Sequence, residues 1–101
     1  MLDEIKREWD LWKSVPFPLG ASKPDRPDLV SIDTFSAGCI TVFIEREGKL
    51  DMKRMTCLRQ CSQDLDTCLD QLNGDTLEYF ARLSSLSKMI LNAIDVTSLE
   101  T

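Results

Sequence analysis

Residues 29–47 read LVSIDTFSAGCITVFIERE, and the fold class turns on whether they form a helix or strands. Ile40, Val42 and Ile44 alternate with Thr41 and Phe43, and β-branched residues favour strands. On that reading a strand pair turns near Glu47-Gly48, and the domain is α+β with a short hairpin within residues 29–50. Helical spacing fits the same letters, because Phe35, Cys39, Val42, Phe43 and Arg46 return to one side of a helix. Asp33 suits the N-cap of that helix, and Gly48 stands where a left-handed, helix-ending residue belongs. Ala37 and Gly38 would let a neighbouring helix come close. The favoured reading is a helix over about 33–46, which makes the chain all-α.

The segments on either side are plainer. Downstream, Leu58, Cys61, Leu65, Cys68 and Leu72 follow at alternating steps of three and four, a helical seam that Met55 and Leu69 widen. Asp51 is its N-cap, so a helix is expected over 52–72. Asn73-Gly74 stops it, and Asp75 caps a last helix over 76–94. Leu77, Phe80, Leu83, Ile90 and Ile94 form the main stripe of that helix, with Leu86, Met89 and Leu91 beside it. So wide an apolar arc belongs at the centre of the core or beneath a partner, which admits a homodimer through the last helix. Residues 95–101 are expected to fray.

Upstream, residues 14–28 hold all four prolines and Gly20, and read as a loop. Phe17, between Pro16 and Pro18, is expected to pin that loop to the core. Pro24-x-x-Pro27 has the spacing of a polyproline ligand, but such a tetrad is common in plain loops. Before the loop, Leu2, Ile5, Trp9 and Trp12 mark one face of a helix over 2–13, with Asp3, Glu4 and Glu8 toward its N-terminus as the helix dipole prefers. The whole is a single domain of four helices over residues 1–101.

Composition excludes several activities. The chain has 12 Lys+Arg against 17 Asp+Glu, a net charge of −5, which argues against binding a nucleic-acid backbone. It has no His, so the commonest proton shuttle and metal ligand is absent. No catalytic set and no Gly-rich phosphate loop can be assembled, and no cofactor is expected. The first residues are acidic where a secretory leader is basic, and the longest apolar-rich stretch, Cys39 to Ile44, is far short of the ~20 residues of a membrane span. The expected setting is the cytoplasm, with no membrane partner and with the four cysteines reduced.

Three of those cysteines invite a site. Cys61 and Cys68 lie about 40° and about 20° from Cys57 around a helix, but Cys57 and Cys68 are about 16 Å apart along it. Only Cys57 and Cys61 could share a metal, Cys39 could add a third ligand, and no His completes the set. Buried packing, as small hydrophobes, is the simpler reading. No metal site is therefore assigned.

The charge layout is the feature that runs against local preference. Lys53, Arg54 and Arg59 open the third helix and Asp64, Asp66 and Asp70 close it, the reverse of what the helix dipole favours. From Gln60 to Ala81 there are five acids and no base: Asp64, Asp66, Asp70, Asp75 and Glu78. The spacing fails as a calcium loop, because counting from Asp70 puts Asp75, not Gly, at the sixth position. The run reads either as a solvated surface, paired with Arg82, Lys88 or the first helix, or as an acidic face that binds a partner.

Trp9 and Trp12, Pro16-Phe17-Pro18, Asp33, Ala37-Gly38-Cys39, Gly48-x-Leu50-Asp51 and Tyr79-Phe80 together resemble a group of small uncharacterised bacterial proteins. The resemblance implies a helix over 33–47 and supplies no catalytic residues. The expected function is a non-catalytic protein-interaction or regulatory domain that binds another protein through Asp64, Asp66, Asp70, Asp75 and Glu78. The alternative is a small-molecule binder with an aromatic pocket near Trp9, Trp12, Phe17 and Phe43. An enzyme of unusual chemistry is the least expected outcome.

Overall fold

The computed structural model describes residues 2–18 and 29–100, with side chains described as far as residue 94. Its elements are α1 (Leu2–Lys13), α2 (Leu29–Glu45), α3 (Met52–Cys68), a 3-10 turn (Leu69–Gln71) and α4 (Gly74–Glu100). No strand occurs among the described residues; residues 29–45 are helical, residues 46 and 47 form the turn that follows, and the domain is all-α. The Pro24-x-x-Pro27 tetrad lies outside the described residues.

α2 begins at Leu29, four residues before the expected start. Asp33 is therefore no N-cap. It lies inside the helix, where its carboxylate accepts a hydrogen bond from the Tyr79 hydroxyl at 2.7 Å. The buried face of α2 is Leu29, Ile32, Ser36, Cys39, Ile40 and Phe43. Phe35 stands outside it, 57 % exposed. The Asp51 cap is present: extended backbone lets the side chain accept from the Arg54 amide, while Arg54 also donates to it through Nη1 at 2.8 Å.

α3 ends as an α-helix at Cys68, short of the expected Leu72, and tightens into the 3-10 turn. The Leu72 amide donates to the Leu69 carbonyl, and Leu72 then turns extended with its side chain in the core. Tightening the last turn satisfies carbonyls that an α-helix end leaves open. α4 starts at Gly74, earlier than expected, so Asp75 lies within its first turn and the Asn73 carbonyl accepts from the Leu77 amide. The backbone stays helical to Glu100, where a frayed tail was expected. Twenty-seven residues make a helix about 40 Å long, close to the 43 Å length of the molecule.

α4 is the axis of the packing. α1 lies on it, α3 lies on it, and α2 packs mainly on α3 while also touching α4. Phe80, Leu83 and Ile90 of α4 are fully buried with Ile5, Leu29, Ile40, Leu58 and Leu65. The wide apolar arc of α4 is thus covered by its own chain. Leu77 is the exception to its expected stripe, at 36 % exposure, because it lies roughly 100° around the helix from the centre of that arc.

Candidate functional site

α1 stops just before a cleft. The Ser14 hydroxyl donates to the Leu11 carbonyl at 2.7 Å, and the Val15 amide donates to the Trp12 carbonyl at 3.2 Å. Pro16 has no amide to continue the ladder. The chain runs on through Phe17 and Pro18 across the start of α4. Phe17 meets Tyr79 and Phe80 edge-on, with ring centroids 5.7 and 6.1 Å apart, so it pins the described start of the loop, residues 14–18, to the core. Trp12 lies 4.9 Å from Tyr79, and its indole N–H donates to the Tyr79 carbonyl at 3.3 Å.

These contacts bound a cleft of about 580 Å³ between the end of α1, the Pro16-Phe17-Pro18 segment and the first two turns of α4. Trp12, Phe17 and Tyr79 supply aromatic surface, while Asp75, Glu78 and Arg82 supply charge. Arg82 is committed to Glu78 at 3.2 Å. Asp75 forms no ion pair among the described residues.

The four aromatic candidates do not converge on one pocket. Trp12 and Phe17 line the cleft. Trp9 is stacked against Trp12 at 5.4 Å, buried, with Lys13 Nζ 5.5 Å from its ring. Phe43 is buried on α2 at the turn into α3, where its carbonyl accepts from the Gly48 amide at 2.9 Å.

The five acids are likewise spread out. Asp64 borders a groove between α2 and α3. Asp66, two residues on and so about 200° around the helix, faces α4 and accepts from Lys88 Nζ at 2.9 Å and from the Ser84 hydroxyl at 3.2 Å. Asp70 is exposed on the 3-10 turn. Only Asp75 and Glu78 stand at the aromatic cleft. The structure therefore joins the end of the acidic run to half of the aromatic set, a pairing of residues about 60 positions apart that no local pattern discloses. Tyr79, which binds Trp12, Phe17 and Asp33 together, escaped the sequence reading as a site residue. Its signals are adjacency to Phe80 on the core helix and a place among the residues that carry the resemblance.

Cys39, Cys61 and Cys68 are buried and Cys57 is partly so. The Cys39 thiol donates to the Arg54 carbonyl at 3.5 Å and the Cys68 thiol to the Leu65 carbonyl at 3.4 Å. Burial, and then the neighbouring Cys57, push the Cys39 thiol up to about 12; burial likewise raises Cys61 and Cys68. These three stay protonated at neutral pH and are poor nucleophiles. No three His, Cys, Asp or Glu side chains converge as a metal-ligand set among the described residues. No helix there is long and apolar enough to cross a membrane. No protein-family model, curated protein or solved structure matches the chain, so its function rests on this geometry.

Proposed function

We propose that this chain is a non-catalytic interaction domain that grips a cationic segment of a partner protein in the cleft between α1 and α4. The observation that carries the reading is the Asp75 carboxylate, without an ion pair among the described residues, beside the Trp12, Phe17 and Tyr79 rings. A Lys or Arg side chain suits both parts, since aromatic faces attract cations and a carboxylate accepts their hydrogen bonds. The rings are held from behind, Trp12 by Trp9 and by its bond to the Tyr79 carbonyl, so little ordering is needed on binding. Four free thiols support a reducing, cytoplasmic setting.

Trp12 gives the cleft its own optical probe. Titration with a short Arg- and Lys-rich peptide should change tryptophan fluorescence saturably, and an acidic peptide of equal length should not. Asp75→Lys should weaken the basic peptide by about tenfold, a change of ~1.4 kcal/mol. Equal responses to both peptides, or binding indifferent to Asp75→Lys, would sink the proposal. The cleft volume also lies in the usual range of small-ligand sites, roughly 300–1,000 Å³. A metabolite that raises the melting temperature of the wild type but not of Phe17→Ala would favour that second reading.

A further inference from the structure

We propose that the outer face of α2 and α3 docks a second copy of this chain, antiparallel, with Phe35 of each copy seated in a groove of the other. Phe35 is a large apolar side chain standing 57 % exposed on α2. It is flanked by two shallow grooves of about 600 and about 640 Å³, and it lines both of them. Cys57 of α3 also lines both, so the ring and the thiol mark the middle of the face. Gly38, one turn along α2 from Phe35, has open space where a side chain would be, which leaves room for another helix to approach.

The charges say which occupant fits. Along α3 the outward stripe runs Lys53, Cys57, Gln60 and Asp64, all within about 60° around the helix. Lys53 borders one groove and Asp64 the other. Lys53 makes no salt bridge among the described residues, and Asp64 has only the neutral Gln60 amide, at 3.0 Å. The stripe therefore carries one unpaired cation and one unpaired anion, eleven residues apart. A two-fold axis midway between them sets Lys53 of each copy against Asp64 of the other and Cys57 against Gln60. Self-complementarity of this kind is what an isologous dimer requires. A knob beside a groove meets the same requirement, because each copy offers both.

The test is sedimentation equilibrium of the full chain, with circular dichroism to show that each variant is folded. All three substituted residues are exposed, so folding should survive. The wild type is expected to dimerise, and Phe35→Asp should raise the dimer dissociation constant at least about tenfold. Lys53→Asp and Asp64→Lys should each weaken the dimer, and the two together should restore it. A monomeric wild type, a dimer untouched by Phe35→Asp, or a double swap that fails to restore association would each overturn the proposal.

Discussion

Asp33 and Tyr79 meet across helices as acceptor and donor in the half-buried interior. Burial raises the Asp33 carboxyl above its ordinary 3.8, and the Tyr79 hydroxyl pulls it partway back; Tyr79 in turn is raised by burial and by Asp33. A folded-state value above the unfolded one means that the folded chain holds the proton more tightly. This carboxyl's contribution to stability is then complete below the unfolded value and is lost as pH rises through the raised one. Asp51 has the opposite sign: its bonds with Arg54 lower it, so its contribution is present above the unfolded value and fades as acid is added through the lowered one. Asp33→Asn keeps an acceptor for Tyr79 and removes the ionisation. Its melting temperature should exceed that of the wild type at pH 7 and match it at pH 3. An equal difference at both values would show that the Asp33 carboxyl titrates alike in the folded and unfolded chain and is not raised by folding. The same residue shows where sequence reading is weakest. Asp is a common N-cap, and nothing local tells a cap from a carboxylate aimed at a tyrosine 46 positions away.

At the scale of the element, the end of α2 is closed by two left-handed residues. Glu47 has φ 55° and Gly48 has φ 97°. The Gly48 amide reaches back to the Phe43 carbonyl and the Glu47 amide to the Ile44 carbonyl, which together make a Schellman closure with Glu47 at its left-handed position. Sequence reading gave that position to Gly48, one residue late, because glycine is the usual occupant. Glu47→Gly should therefore stabilise the protein, by up to about 1 kcal/mol, through relief of the left-handed strain. Thermal unfolding measures it, and an unchanged or lower midpoint would contradict the assignment. The helix read over about 33–46 was legible because its period, its stop signal and the Asp51 cap that follows agree. The start at Leu29 was not, since Asp28 before it and Asp33 within it are both residue types that cap helices, and Asp28 reads equally well as the end of the proline-rich segment. The face of α2 was misread for a related reason. Phe35 fits the helical period as well as Ser36 does, and hydrophobicity alone ranks the phenylalanine as core. The structure buries the serine, whose hydroxyl makes no well-formed hydrogen bond, and leaves the ring outside.

The molecule is assembled mainly from neighbours in sequence. α2 packs on α3 and α3 on α4, and those contacts close over short turns. This hairpin succession was readable from apolar periodicity and from the Gly48 and Asn73-Gly74 punctuation. α1 is different, because it lies on α4, across the whole intervening chain. The candidate cleft exists only because of that long return, so its residues could be nominated from sequence in two separate sets but not joined. The Trp12–Tyr79 hydrogen bond spans 67 positions. Contacts that distant form only after the chain has met the entropy of closing the loop, whereas the α2–α3–α4 contacts form locally. The α1 seam should accordingly be little formed in the folding transition state. Trp12→Phe removes the indole donor and keeps an aromatic ring, though a smaller one. It should hasten unfolding while leaving the folding rate within about twofold of the wild type. A folding rate that falls in step with stability would place α1 in the nucleus instead. The bond that holds the cleft together would then govern how fast the domain comes apart, and hardly at all how fast it forms.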